Sequence, residues 1–172
     1  MKKRLADFTV SRAVKEVLII SKSHLDIGFT ALAKDVKQAY LRQFIPKAVA
    51  IGRKVMADTP NENYVWNTGS WLIAEYLRFA KGQKLKDFEQ AIQDGMIAWH
   101  AIPFTTHTEL ADASLYAAGL QISKELDARF GRRTIAAKMT DVPGHSAGLI
   151  KILADAGVEF LHIGVNPSAS AP

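Results

Sequence analysis

Five short apolar segments, rich in β-branched or aromatic residues, alternate along the chain with longer segments of helical periodicity. Strands that are apolar on both faces are typical of a parallel sheet, because the crossover helices cover both of its faces. The alternation therefore predicts an α/β fold with parallel strands and right-handed crossovers. The predicted strands are Val17–Ile20, Tyr64–Trp66, Met96–Trp99, Thr134–Met139 and Phe160–Val165.

The predicted helices fill the intervals between these strands. The first runs from Ala31 to Met56, and we expect Pro46 to break or kink it into two helices, because proline lacks an amide hydrogen. No linker, internal repeat or low-complexity segment divides residues 1–172, so the sequence predicts a single domain. The other predicted helices are Leu72–Phe79, Phe88–Gln93, Glu109–Phe130 and Ala147–Ala156, and residues 81–83 are expected to lie between two of them.

Composition narrows the class of protein. Hydrophobic residues make up 48% of the 172 residues and cysteine is absent, which excludes disulfides, thiolate zinc sites and a cysteine nucleophile. The net charge of +5 is scattered without a basic stripe, so we expect no nucleic-acid partner. The apolar run after the basic start is too short for a signal peptide, and no run is long enough to span a membrane. The expected location is the cytoplasm.

The clearest candidate ligands follow the first predicted strand. His24 and Asp26 are two residues apart, and alternate residues of an extended segment point to the same side. An imidazole and a carboxylate placed in this way can share one divalent cation, and zinc suits both groups. Alternatively, Asp26 caps the next helix and His24 is an ordinary polar residue.

Three further residues follow the other strands, at the end where parallel α/β folds bind ligands. Asp141 and His145 flank a Pro-Gly turn after the fourth strand, where they can bind a ligand or cap the turn and the next helix. Trp71 follows the second strand and can form a platform under a sugar ring or pack in the core.

These segments together resemble the N-terminal catalytic domain of glycoside hydrolase family 38, the α-mannosidases, in a divergent branch. Residues 23–29 are similar to the family's His-x-Asp-x-Gly-aromatic motif, and residues 140–146 to its Ile-Asp-Pro-Phe-Gly-His-Ser motif. The resemblance extends over residues 15–165. It implies a seven-stranded β/α barrel, of which about five strands are present, with zinc bound by His24 and Asp26 and sugar contacts from Asp141.

The chain departs from the family at the position of the catalytic nucleophile. Thr108 stands where the family has an aspartate that attacks the sugar and also binds zinc, and His107 stands at the preceding asparagine. His107 can supply the missing metal ligand, since imidazole is a good zinc ligand. The candidate catalytic carboxylates are then Asp141 and Glu109, and the candidate substrate contacts are Trp71, Asp141 and His145.

Two functions from different classes follow from this pattern. The first is a zinc-dependent retaining hydrolase of α-mannoside-type bonds, in a form whose further strands and ligands lie beyond Pro172. The second is a catalytically inactive module that binds carbohydrate or a partner on a truncated hydrolase scaffold. An open five-stranded sheet exposes its edges, so we expect that a homo-oligomer can cover them.

Overall fold

The computed structural model of the chain describes residues 15, 20, 22–59, 64–142, 144–164 and 166. A π-helical turn (Tyr40–Phe44) joins the first two helices, and a 3-10 turn (Thr108–Leu110) precedes the fifth. The helices are α1 (Ala33–Ala39), α2 (Ile45–Asp58), α3 (Ser70–Phe79), α4 (Gly82–Gln93), α5 (Ala113–Phe130) and α6 (Gly148–Asp155). The strands are β1 (Trp66–Gly69), β2 (Ile97–His100), β3 (Ala136–Thr140) and β4 (Phe160–Gly164).

The described strands pair in parallel. β1 pairs with β2 and β3 pairs with β4, and the amide of Ala101 donates a hydrogen bond of 2.9 Å to the carbonyl of Ala136 between the two pairs. Most of the first predicted strand, residues 17–19, lies outside the described residues. Just after it, Lys22 forms a parallel bridge with Asn67. The α/β class and parallel strands are thus confirmed. The described strands do not close into a barrel, and a seven-stranded barrel stays a prediction.

The strands have one face toward the helices and one face away from them. Trp99 and Met139 are buried against the helical layer, where Trp99 donates a hydrogen bond to Asp127 of α5. Because neighbours in register share a face, the alternate residues lie on the opposite side. We call that side the inner face; it comprises Lys22, Asn67, His100, Lys138, Thr140 and His162.

The expected division near Pro46 is confirmed in part, because two α-helices, α1 and α2, occupy this stretch. The helical path continues from Ala33 to Asp58, and Pro46 is the second residue of α2. A proline ring clashes with the carbonyl four residues earlier in a regular α-helix. Here the five residues before α2 form a wider π-helical turn, which separates α1 from α2 while the helical path continues.

Other boundaries differ by a few residues. β1 begins at Trp66, which the sequence placed at the end of its strand, and α4 already begins at Gly82 in the segment expected to be a connection. α5 begins at Ala113, after Asp112 caps it by accepting a hydrogen bond of 2.8 Å from the amide of Leu115. No helix in the described ranges is long and apolar enough to cross a membrane. β4 exposes Phe160 and Ile163.

Candidate functional site

A cavity of about 740 Å³ opens among the loops that follow the strands. This is the end of the sheet at which parallel α/β folds bind ligands. Its wall combines carboxylate, imidazole and aromatic side chains, so it can take a ligand that has both polar groups and an apolar face. The residues that carry this chemistry are His24, Asp26, Phe29, Trp71, Phe104, His107 and Asp141.

Three of these side chains form a cluster that can hold a metal ion. His24 Nε2 lies 2.9 Å from Asp26 Oδ1 and 3.5 Å from Asp141 Oδ2. One ligand atom from each residue lies within 4.8 Å of the other two, and in the described part of the chain this is the single group of its kind. The structure therefore brings His24 and Asp26, which follow the Lys22 bridge, together with Asp141, which follows β3.

The orientation of His24 is set by contacts on its other side. His24 Nδ1 is 3.3 Å from Thr140 Oγ1, and the ammonium of Lys22 donates a hydrogen bond to the same hydroxyl oxygen. The Tyr40 hydroxyl donates to the backbone carbonyl of His24 at 2.9 Å. A hydroxyl oxygen has two lone pairs, so Thr140 can accept from both Lys22 and an Nδ1–H of His24. In that tautomer the Nε2 lone pair faces the two carboxylates.

Asp141 reaches the cluster through an unusual backbone conformation. Its φ is +67°, and among the described residues it is the one non-glycine with positive φ. Its amide donates to the carbonyl of Gly164 at 2.9 Å, and the side chain of Asn166 donates to Asp141 Oδ1 at 2.7 Å. These contacts with the end of β4 hold the strained turn, and strain of this kind concentrates at functional sites.

Basic groups lie on the inner face beneath the cluster. Burial and the charge of Lys138 lower the pKa of Lys22 to about 8, although the carboxylate of Asp141 acts in the opposite direction. Burial lowers the pKa of His100 to about 4, helped by the charges of Lys22 and Lys138. Only 9% of His100 is exposed, and its Nδ1 has no hydrogen-bond partner among the described residues. At neutral pH His100 is therefore uncharged.

Aromatic rings form another wall of the cavity. Trp71 and Phe104 make an edge-to-face contact with their ring centroids 5.9 Å apart. The ammonium of Lys37 lies 5.9 Å from the Trp71 centroid and is also paired with Glu75. Phe29, which is 85% exposed, also lines the cavity. Trp71, predicted as a sugar platform, thus lines the cavity that holds His24.

The structure places the remaining predicted residues around this site. His107 lines the cavity but lies outside the cluster, so its role as a metal ligand stays a prediction. Glu109 is exposed on the 3-10 turn. Burial lowers the pKa of His145, whereas the charge of Glu109 raises it and that of His107 lowers it. These three residues therefore lie near one another, and both ring nitrogens of His145 lack a hydrogen-bond partner in the described ranges.

Several residues of the site were not singled out from the sequence. Thr140 contacts Nδ1 of His24, and Lys22 donates a hydrogen bond to Thr140. Phe104 packs against Trp71 in the aromatic wall. The signal for Lys22 is the same alternation that links His24 to Asp26, since an extended segment places all three on one side. No comparable local pattern identifies Phe104, because its contact with Trp71 joins the loop after β2 to the first turn of α3.

Neither a family model nor a curated protein sequence matches the chain. Solved structures with a similar fold include the following two. An alpha-mannosidase from Enterococcus faecalis V583 aligns with a TM-score of 0.65 and 11% identity over 84% of this chain and 16% of that chain. A 4-alpha-glucanotransferase from Thermococcus litoralis aligns with a TM-score of 0.57 and 14% identity over 83% of this chain and 21% of that chain.

These similarities establish that the chain shares the fold of part of each of these two proteins. The identities are too low to assign the family or an activity. The chain also covers only about a sixth and a fifth of the two proteins' lengths. Fold and function are separable, so a function has to be argued from the site.

Proposed function

We propose that the cavity is the sugar-binding site of a metal-dependent glycoside hydrolase, of the family 38 type, that acts on α-mannoside-type bonds. The observation that carries this proposal is the cluster of His24, Asp26 and Asp141 in one cavity with Trp71. The fold's likeness to an alpha-mannosidase supports the choice of reaction.

The cluster fits a divalent cation on chemical grounds. Three acceptor atoms converge when the Nε2 lone pair of His24 faces the carboxylates of Asp26 and Asp141, and such a convergence needs a cation or a proton to offset its repulsion. Imidazole and carboxylate are both zinc ligands, and three protein ligands leave a fourth position open for substrate, as in catalytic zinc sites. The contact of His24 Nδ1 with Thr140 is the outer hydrogen bond that orients a metal-binding histidine. The bound ion would polarise and orient sugar hydroxyls.

The aromatic wall suits the apolar face of a sugar ring. Trp71 is held edge-to-face by Phe104, so its orientation is set before a ligand enters. Pre-oriented rings lose little conformational entropy on binding. A sugar can therefore contact the cation site with its hydroxyls and the Trp71 wall with its carbon–hydrogen face.

The site offers fewer candidate catalytic carboxylates than a retaining glycosidase needs. A retaining glycosidase needs a nucleophile and an acid, and we assign Asp141 to the cation rather than to either role. Glu109 is the remaining candidate and lies beside His145. Thr108 is 4% exposed, and its hydroxyl accepts a hydrogen bond from the Ser146 amide. Because Thr108 offers no carboxylate and its buried hydroxyl is bonded to the Ser146 amide, a second candidate function is a carbohydrate-binding module without turnover.

Two measurements test the proposal and separate the two functions. Zinc titrated calorimetrically into metal-free chain should bind the parent, and His24→Ala should weaken that binding. Lys47→Met, on the exposed side of α2, is the matched control. Turnover of an aryl α-mannoside that is lost in His24→Ala supports the hydrolase. Zinc and mannose binding without turnover supports the binding module. A parent chain that binds no zinc contradicts the metal-dependent site.

A further inference from the structure

A second cavity adjoins the proposed sugar site. It has a volume of about 330 Å³ and lies between the loop after β2 and one side of α5. Phe104 and Thr106 line both this cavity and the larger one that holds His24 and Trp71. The two cavities therefore meet at the loop after β2. We call the second one the apolar groove; its wall includes Ile102, Pro103, Phe104, Leu115, Tyr116 and Ile122.

The wall of the apolar groove has no charged side chain among the described residues. The polar side chains that line it are the hydroxyl-bearing Thr106 and Tyr116. On α5, the lining residues Leu115, Ala118 and Ile122 recur at spacings of three and four, so they form one stripe along the helix. Such a wall suits hydrocarbon, because a second sugar would leave most of its hydroxyls without a hydrogen-bond partner.

Backbone contacts hold the loop side of the apolar groove in place. The carbonyls of Ile102 and Pro103 accept hydrogen bonds of 3.3 Å each from the amides of Ser70 and Trp71, at the start of α3. On the helix side Gly119 permits a close approach, because a Cβ atom there would lie 3.1 Å from Pro103 Cγ. The groove is therefore formed before a ligand enters, which lowers the entropy cost of binding.

Two large apolar side chains of the apolar groove remain in contact with water. Leu115 is 61% exposed and Phe104 is 41% exposed. Exposed apolar surface that is gathered at a groove, rather than scattered singly, is typical of a binding site. Phe104 also packs edge-to-face on Trp71, with the ring centroids 5.9 Å apart. The exposed surface of Phe104 thus joins the aromatic wall of the sugar cavity to the groove.

We propose that the apolar groove binds the aglycone, the group joined to the sugar through the glycosidic oxygen, and that this aglycone is an alkyl chain. The inference rests on the proposed function, because it names the substrate class of the same site: alkyl glycosides rather than oligosaccharides. A chain on the glycosidic oxygen can cross the exposed surface of Phe104 and enter the groove while the sugar stays against Trp71. A flexible chain suits this path better than a rigid ring, because it has to bend past Phe104.

The test compares octyl α-D-mannopyranoside with methyl α-D-mannopyranoside. Both are titrated calorimetrically into the chain in the presence of zinc, below the concentration at which the octyl compound forms micelles. Each methylene group that leaves water strengthens binding about fourfold. The octyl glycoside should therefore bind at least about tenfold more tightly than the methyl glycoside.

Two pairs of variants locate the alkyl chain. Ala118→Phe fills the apolar groove and should remove most of the preference for the octyl glycoside. Ala117→Phe places the same ring on α5 at an exposed residue outside the groove and should keep the preference. Leu115→Gln should lower the preference, whereas Ile150→Gln, at an exposed residue of α6, should not. All four variants should bind the methyl glycoside as the parent does, and thermal unfolding checks that each one folds.

Each other outcome overturns the inference. Equal binding of the two glycosides by the parent overturns it and leaves the proposed sugar site intact. A preference that both Ala118→Phe and Leu115→Gln keep places the alkyl chain elsewhere. Octyl glycoside binding that Trp71→Ala leaves unchanged shows that the sugar plays no part. A dimer of the parent in size-exclusion chromatography that Ala118→Phe dissociates shows that a second copy covers the groove. If neither glycoside binds, both the inference and the sugar site fail.

Discussion

The side-chain hydroxyl of Thr108 accepts a hydrogen bond of 2.6 Å from the backbone amide of Ser146. This bond ties the loop after β2 to the loop after β3, which carries Asp141 and His145. Thr108 is 4% exposed and is not among the residues that line the cavity, although His107 is. The residue that the sequence resemblance aligns with a catalytic aspartate therefore supports a loop of the candidate site.

Replacing Thr108 should reveal this supporting role. Thr108→Val keeps the shape of the side chain but removes the acceptor, so the free energy of unfolding should fall by about 1 kcal/mol in a urea titration. Amide exchange at Ser146 should become faster. Thr108→Ser is the control, because it keeps the hydroxyl and should keep the Ser146 amide protected. Equal protection of that amide in all three chains would contradict the role.

Two variants decide which third residue belongs to the proposed metal site. Asp141→Asn removes a charged ligand from the cluster and should weaken zinc binding at least about tenfold in calorimetry. His107→Ala should leave the zinc affinity unchanged, because His107 lies outside the cluster. The reverse pattern would restore His107 as the ligand that the sequence suggested.

Local patterns predicted the order and direction of the elements well. Apolar runs such as Met96–Trp99 and Phe160–Val165 lie within a residue or so of β2 and β4. Burial accounts for β2, whereas β4 has no buried residue and keeps its apolar pattern on an exposed strand. The predicted strand Tyr64–Trp66 overlaps β1 only at Trp66. Of the four β1 residues that pair with β2, only Thr68 is β-branched, so the sequence pattern did not mark this strand. Pro46 correctly indicated an interruption of the helical stretch, which takes the form of the π-helical turn before α2.

The site was predictable where it depends on spacing and unpredictable where it depends on backbone conformation. His24 and Asp26 come together through simple alternation. Asp141 joins them because its φ is positive and the end of β4 holds it, and nothing local signals either contact. His107 instead turns into the 3-10 segment that begins at Thr108. Tertiary contacts therefore bring Asp141, predicted as a catalytic and sugar-binding residue, to His24 and Asp26, and leave the predicted ligand His107 outside the cluster.

The backbone of Asp141 predicts a stability difference between two variants. A side chain at φ +67° costs about 1–2 kcal/mol relative to glycine, which adopts this conformation freely. Both Asp141→Gly and Asp141→Ala lose the carboxylate and its bond to Asn166. Asp141→Gly should therefore be more stable than Asp141→Ala by about 1 kcal/mol in urea unfolding. Both variants should lose zinc binding, so the difference in stability between them does not come from the metal. Equal stability of the two would argue against the strained turn.

His100 should make the stability of the chain depend on acid. Its folded pKa is lowered to about 4, first by burial and then by Lys22 and Lys138, against an ordinary value of 6.5. Above pH 6.5 both folded and unfolded chains hold neutral His100, so it adds no pH dependence. Between pH 6.5 and 4 only the unfolded chain binds the proton, and the free energy of unfolding should fall by roughly 3 kcal/mol in total.

Urea titrations at several pH values, with parent and His100→Phe compared at each, isolate this contribution. Phenylalanine keeps a ring of similar size but cannot take up a proton, so its free energy of unfolding should fall less steeply between pH 6.5 and 4. Carboxylates titrate in both chains and cancel in the difference. Lys138→Met should reduce the loss in the chain that keeps His100, because one of the charges that disfavour its protonation is gone. Identical slopes for parent and His100→Phe would show that His100 is protonated as readily in the folded chain as in the unfolded one.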